Sequence, residues 1–131
     1  MVIVSILAAG VAAFLFGAIW YSVFAKQWVA TSGVVTDETG QPANRSAPIP
    51  YIAGMICAVV FAAMLNYAMP QLSVDTVAKG ALSGIGAGLF LTCPWIITCY
   101  GFAGRPRQLM LIDCGYATFG STVAGAVLML F

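Results

Sequence analysis

The sequence carries very little charge and no histidine. Five Lys or Arg and four Asp or Glu make up 7% of the 131 residues, whereas hydrophobic residues make up 62%. A soluble domain has about a quarter charged residues, and a disordered chain is poor in apolar ones. The composition therefore excludes both classes. A net charge of +1 also offers no basic surface for nucleic acid, so we expect no nucleic-acid partner.

The absence of histidine removes several kinds of site. Histidine-ligated haem, histidine-based zinc sites and Ser-His-Asp catalysis all require it. Four cysteines are present, but they form no CxxC pair and no spacing typical of zinc or iron–sulfur binding. We predict no metal, no cofactor and no catalytic residue. The sequence leaves an enzyme open but less favoured, because it has no evident acid–base pair or nucleophile arrangement.

Long apolar runs fill most of the chain. A helix that crosses a bilayer needs about 20 mostly apolar residues. Four runs meet this requirement, and none alternates as barrel strands do: residues 2–25, 50–69, 77–102 and 109–131. We predict an all-α integral membrane protein whose single domain, residues 1–131, is a four-helix transmembrane bundle. Pro94 cannot donate a hydrogen bond to Phe90 and should kink the third helix, where Thr92 is placed to satisfy freed backbone.

The few charges also predict an orientation. The first and third connections, residues 26–49 and 103–108, lie on one side of a four-span bundle. That side holds four of the five positive residues, and only Lys79 and the N-terminal amine lie on the other. By the positive-inside rule we expect both connections in the cytoplasm and both termini outside. Only one other connection, residues 70–76, lies on the outer side.

Small residues recur every fourth position in each predicted span. Lipid gives no hydrophobic drive between helices, so such rows favour packing by close backbone approach. The strongest row is the double GxxxG of the third span, which suits either contact within the chain or a seam between copies or subunits. The four rows are Ser5, Ala9, Ala13 and Gly17; Gly54, Ala58 and Ala62; Gly80, Gly84 and Gly88; and Ala117, Ser121 and Gly125.

Polar and aromatic residues gather at the predicted cytoplasmic end of the bundle. An interfacial belt explains them, since Trp and Tyr favour the headgroup level and Lys and Arg extend towards it. A polar cavity between the helix ends is the functional alternative. The candidate site residues are Trp20, Tyr21, Ser22, Lys26, Arg105, Arg107, Asp113 and Tyr116.

Asp113 distinguishes the two interpretations. If the fourth helix begins at Leu109, the carboxylate lies inside the membrane and needs a partner or a function. If the helix begins at Asp113, the remaining residues still span the bilayer and Asp113 is an N-cap. In both cases we expect an ionised Asp113 with a cationic or hydroxyl partner. The candidates are Lys26, Arg105, Arg107, Tyr21 and Ser22.

Two sequence motifs resemble the signatures of a known family. Trp20-Tyr21-Ser22 with Lys26 and Trp28 resembles WYSP…K.W, although Val23 replaces the family's Pro. Gly101-Phe102, Gly104-Arg105-Pro106 and Leu111 to Tyr116 resemble GF…GRP…LIDAGY, with Cys114 in place of Ala. The family comprises small bacterial membrane proteins catalogued as domain of unknown function 1761. The resemblance implies four transmembrane helices in the bacterial inner membrane and groups Trp20, Tyr21, Arg105 and Asp113 in one site. It implies no activity.

Three functions remain open from the sequence. The first is an accessory or scaffold subunit that binds other membrane subunits or further copies of itself, suggested by small size and several small-residue faces. The second is a small oligomeric transporter or channel that uses Asp113. The third is a lipid- or quinone-binding protein with tyrosines and Asp113 lining an amphipathic pocket.

Overall fold

The computed structural model describes residues 1–131, and helices make up most of the chain. We number the α-helices in chain order; a 3₁₀ turn at Met69–Leu72 follows the third, and a π-helical segment at Ala87–Thr92 joins the fourth to the fifth. The α-helices are α1 Val2–Val23, α2 Ala25–Ser32, α3 Pro48–Ala68, α4 Val77–Gly86, α5 Cys93–Phe102 and α6 Arg107–Leu128.

Four continuous helical stretches are long and apolar enough to cross a membrane. They are Val2–Val23, Pro48–Leu72, Val77–Phe102 and Arg107–Leu128. Each holds 22 to 26 residues, which matches the bilayer requirement of about 20. The predicted fold class, an all-α bundle with four membrane-capable helices, is confirmed.

The connection predicted at residues 26–49 is partly helical. The first helix ends where Phe24 leaves helical geometry, and α2 then continues to Ser32. Gly33 ends α2 in the left-handed conformation at φ 74°, which glycine adopts without steric cost. The irregular connection to α3 is therefore residues 33–47. The sequence did not predict α2, because a segment of eight residues with mixed polarity is too short to show a periodic pattern.

Where the sequence predicts a kink at Pro94, the structure has a π-helical segment. This segment ends at Thr92, and Pro94 then lies in the first turn of α5, where its missing N–H costs no helix hydrogen bond. The Thr92 hydroxyl donates to the carbonyl of Ala87 at 3.4 Å. The wider π turn thus absorbs the disruption that proline would cause inside an α-helix.

Helices α1 and α6 form the centre of the bundle. The third helix packs on α1 and contacts α6 less extensively, whereas α4 and the π segment pack on α6. No substantial contact joins α3 to α5, which touches α6 and the π segment. The buried core consists mainly of small and aliphatic side chains from α1, α3 and α6. The missing α3–α5 contact leaves one side of the α1–α6 seam uncovered.

The glycine row of α4 lies directly against the backbone of α6. A Cβ atom at Gly84 would overlap the carbonyl oxygen of Ser121 and lie 2.8 Å from the Cα of Thr122. Gly80 and Gly88 meet the backbone of Gly125 and Ala117 in the same way. The double GxxxG row therefore brings two helices of the same chain together, and its glycines are buried there.

The two ends of the bundle differ. One carries residues 33–47 and 103–106, and we call it the two-loop end. Its long connection is held by Asp37, which accepts hydrogen bonds from Thr39 and forms an ion pair with Arg45. The hydrogen bond from the Thr39 hydroxyl, and to a smaller extent the one from Arg45, hold the pKa of Asp37 well below its usual range. At the opposite end Lys79 pairs with Asp75 at 2.7 Å and lowers the pKa of that carboxyl.

Candidate functional site

Asp113 lies within α6 and does not cap it. The helix begins at Arg107 with Pro106 at the N-cap position, so six residues precede Asp113. At 1.5 Å per residue the carboxylate is roughly 9 Å along the helix axis. The N-cap interpretation is wrong, because Pro106 already has the extended geometry of an N-cap and starts the helix earlier.

Two tyrosine hydroxyls hold the carboxylate of Asp113. Tyr21 on α1 donates to Oδ1 at 2.6 Å, and Tyr100 on α5 donates to Oδ2 at 2.7 Å. Each carboxylate oxygen accepts one hydrogen bond, and a carboxylate has about four lone-pair positions. We call Asp113, Tyr21 and Tyr100 the Asp113 cluster. It joins three of the four membrane-capable stretches at one level.

The two motifs of the sequence meet at this point. Trp20 lies against Gly115, and its indole N–H donates to the carbonyl of Ile112 at 2.9 Å. In the other direction Tyr116 reaches across to α1 and donates to the carbonyl of Ala13 at 3.2 Å. The segment Trp20-Tyr21 therefore docks on the segment from Ile112 to Tyr116 through both side chains and backbone.

The predicted cationic partners do not bind Asp113. No ion pair involves Asp113, since the chain's two ion pairs lie elsewhere. Arg105 instead donates to the carbonyl of Ser32 at 3.1 Å, while Lys26 and Arg107 are exposed. Ser22 donates to the carbonyl of Ala18 in its own helix. Of the five candidate partners, only Tyr21 contacts the carboxylate.

Tyr100 was not among the partners predicted for Asp113. The sequence nevertheless contains a clue to this contact in the positions of the two residues. Tyr100 lies two residues before the end of the third span at Phe102, and Asp113 lies near the start of the next helix. A short turn reverses the chain between them, since Gly104 has φ 66°. The two residues therefore lie at similar depth on consecutive antiparallel helices, and a contact between them could have been predicted from this.

A large groove opens over the α1–α6 seam between α3 and α5. Its volume is about 870 Å³, and the Asp113 cluster lies at its polar end. Its apolar length is lined by Phe14, Ala18, Cys57, Phe61 and Ile96, and by the glycines Gly17, Gly54 and Gly120. We call this the α3–α5 groove.

Aromatic rings surround the polar end of the groove. The ring of Tyr21 lies between Trp28, with centroids 6.2 Å apart, and Tyr116, with centroids 5.4 Å apart. Both pairs are edge-to-face, an arrangement that aromatic rings favour. Tyr51 also lines the groove, and its hydroxyl donates to the carbonyl of Arg45. The two hydroxyls that hold the carboxylate thus belong to a cluster of aromatic residues at this end of the groove.

A second, smaller cavity reaches Asp113 from the two-loop end. It has a volume of about 190 Å³ and is lined by Ser32, Arg105 and Leu109. Trp28, Tyr100 and Asp113 line both cavities. The Asp113 cluster is therefore bordered by the groove on one side and by this smaller cavity on the other.

Both sequence interpretations of the aromatic residues describe part of this end. Trp95 is 74% exposed and Phe102 is 92% exposed, as side chains of a membrane interface would be. Trp20, Tyr21 and Tyr116 instead turn inwards to other helices. Cys93 and Cys114 also face inwards: the Cys93 thiol lies 3.4 Å from the carbonyl of Cys114, and all four cysteines are free.

Removing the Tyr21 hydroxyl should destabilise the bundle through Asp113. The Tyr21→Phe variant leaves a partly buried carboxylate without one of its two donors, which we expect to cost about 1–3 kcal/mol of unfolding free energy. Unfolding in detergent by increasing SDS would measure this. Tyr67→Phe is the matched control, because Tyr67 is exposed and makes no side-chain hydrogen bond.

A double-mutant cycle tests the same contact. In an Asp113→Asn background, Tyr21→Phe should cost clearly less than in the wild type, because the charge-assisted bond is already gone. Equal costs in both backgrounds would show that the Tyr21 hydroxyl does not act through Asp113.

Comparison with known proteins identifies the family but no activity. No curated protein and no solved structure matches the chain. A family model described as a protein of unknown function (DUF1761) matches residues 4–129, and the chain therefore belongs to this family.

Proposed function

We propose that this membrane protein binds an amphipathic small molecule from the bilayer in the α3–α5 groove. The observation that carries the proposal is the groove itself, with a volume of about 870 Å³ and a carboxylate at one end. Small-molecule sites typically occupy about 300–1,000 Å³ and combine apolar walls with a few polar groups. The groove has both features, and the gap between α3 and α5 gives a lateral entrance.

The polar end suits the head of such a molecule. An intramembrane carboxylate is costly and usually has a function. Tyr21 and Tyr100 hold Asp113 in place by 2.6 Å and 2.7 Å hydrogen bonds, which fixes its position without neutralising it by a cation. A bound molecule would place its polar group here and its apolar part along Phe14 and Phe61.

We place the protein in a bacterial inner membrane, with its two-loop end on the cytoplasmic side. The support is the charge distribution, since Lys26, Arg45, Arg105 and Arg107 lie at this end and Lys79 lies at the other. In this orientation the smaller cavity faces the cytoplasm. The bound molecule would then lie in the cytoplasmic leaflet.

Filling the groove tests the proposal. Ala18 is exposed and lines the groove, so Ala18→Phe should block it without disturbing the core. We expect purified wild-type protein to retain a bound amphiphile that mass spectrometry of its extract detects, and Ala18→Phe to lose it. Ala53→Phe is the matched control, because Ala53 is also exposed on a membrane-capable helix but does not line the groove.

The same comparison separates the other candidate functions. An accessory subunit would use the groove for a partner helix, and Ala18→Phe would then release a protein in place of a small molecule. Identical bound material in wild type and Ala18→Phe would contradict binding in the groove. A transporter is favoured by the contact of Asp113 with both cavities, and it requires flux into liposomes that Asp113→Asn abolishes.

A further inference from the structure

We infer that the ligand of the α3–α5 groove is a lipophilic amine, a single apolar chain or ring system that carries a protonated nitrogen. This rests on the proposed binding function and adds the chemical class of the ligand. The observation behind it is a carboxylate at the polar end of the groove that forms no ion pair with any cation of the chain.

Of the two charged residues that line the groove, Arg45 and Asp113, only Asp113 has no ion-pair partner. Arg45 lines the groove, but Asp37 already pairs with it. Arg105 lines only the smaller cavity and donates to a backbone carbonyl. Asp113 is therefore the one charge in the groove that lacks an opposite partner. A positively charged head would complement it, whereas an anionic head would be repelled.

The hydrogen bonding of Asp113 leaves room for an ammonium group. Each carboxylate oxygen accepts one tyrosine hydroxyl. A carboxylate has about four lone-pair positions, so each oxygen can accept one more donor. An ammonium group has only hydrogen-bond donors, so it can donate to both carboxylate oxygens of Asp113. A neutral alcohol could use one of these positions but would leave the charge uncompensated.

The aromatic residues add a second source of recognition. Tyr21, Tyr116 and Trp28 present rings around the carboxylate end of the groove. A cation near an aromatic face gains about 0.5–2 kcal/mol, most where water is excluded. The groove favours an organic cation over an inorganic ion, because its apolar walls bind a hydrocarbon chain attached to the charged group.

The size of the groove sets the kind of amine. A volume of about 870 Å³ suits a drug-sized molecule. A phospholipid with an amine headgroup would also bring a phosphate towards Asp113, where like charges repel. We therefore assign the site to a free amphipathic amine and not to a phospholipid headgroup.

A pair of matched probes tests the inference. The full-length protein in phosphatidylcholine nanodiscs is titrated calorimetrically with decylamine and with decanol, and empty nanodiscs are subtracted. Decylamine is charged at pH 7, because alkylamines titrate near the pKa of Lys, about 10.4. We expect decylamine to bind at least about tenfold more tightly than decanol, as a charge-assisted hydrogen bond predicts.

Variants assign the difference to the carboxylate. Asp113→Asn should weaken decylamine binding at least about tenfold and leave decanol unchanged. Asp75→Asn is the control, since Asp75 is exposed and pairs with Lys79 at the other end. The comparison of the two probes on wild type stands even if Asp113→Asn does not fold.

The outcomes separate this inference from the proposed function. Equal binding of both probes, unaffected by Asp113→Asn, would overturn the amine but keep a ligand in the groove. Displacement of decylamine by added phosphatidylethanolamine would also overturn it, because the headgroup would then be the ligand. If neither probe binds wild type, the amine is wrong, and the Ala18→Phe comparison decides the proposed function.

Discussion

Replacing Gly84 with leucine should prevent α4 from docking on α6 and leave little folded protein. Even a Cβ at this position would overlap the Ser121 carbonyl oxygen and lie 2.8 Å from the Cα of Thr122. The neighbouring atoms belong to the helix backbone and cannot rotate away. We expect a loss at or above the upper end of the range of about 1–3 kcal/mol seen for overpacked sites.

Gly86 supplies the matched control for this change. It lies on the same helix only two residues away, yet a Cβ there would meet nothing within 4 Å. Gly86→Leu should therefore fold and elute from size-exclusion chromatography as wild type does, while Gly84→Leu aggregates or unfolds at lower SDS. Similar behaviour of the two variants would mean that the glycine row does not pack within the chain.

Replacing Gly115 with alanine should disturb both the fold and the Asp113 cluster. The added methyl group would overlap the Trp20 ring and lie 3.0 Å from its Cη2 atom. The indole must then move, and its hydrogen bond to the Ile112 carbonyl is lost. Overpacking and the lost bond together predict a cost of about 2–4 kcal/mol.

The displaced indole gives this variant a specific signature. Trp20 precedes Tyr21 on α1, so its movement should also loosen the contact of Tyr21 with Asp113 and weaken decylamine binding. Gly101→Ala is the control, because nothing lies within 4 Å of a Cβ at Gly101. Unchanged tryptophan fluorescence and unchanged decylamine affinity in Gly115→Ala would contradict a site that depends on the docking of Trp20.

Much of the fold follows from the sequence because lipid imposes strict rules. Every backbone group in a bilayer must be paired within the protein, so long apolar runs that do not alternate as barrel strands do are expected to be helices. Four such runs and the glycine row of α4 are therefore visible without coordinates. The short helix α2 is not visible, because its 25–32 segment is too short to show a periodic pattern and lies among polar residues.

The candidate site was only partly predictable. Asp113 stands out as a carboxylate in an apolar run, and Tyr21 was among its expected partners. The sequence did not indicate that Tyr100 would bind the second oxygen or that Arg105 would turn to Ser32. These outcomes depend on side-chain direction at the helix ends, which composition and spacing do not determine.

The sequence suggested an amphipathic pocket lined by tyrosines and Asp113, but it did not indicate that the pocket would be a groove between α3 and α5. It exists because α3 packs on α1 while α5 packs on α6, which leaves the space between α3 and α5 open. All four spans contain small residues at helical spacing, so the sequence suggested close contact everywhere. Gly54 shows the difference, since it lines the groove and a Cβ there would meet only the ring of Phe14 on α1 and no atom of α5.

A structure with bound ligand would show whether the α3–α5 groove holds a lipophilic amine at Asp113. The most direct measurement is a structure of the protein in nanodiscs prepared from native membranes, with decylamine added. We expect elongated density between α3 and α5, with its polar end within hydrogen-bonding distance of the Asp113 carboxylate. A partner helix in the groove, or an empty groove with α3 packed against α5, would contradict this expectation.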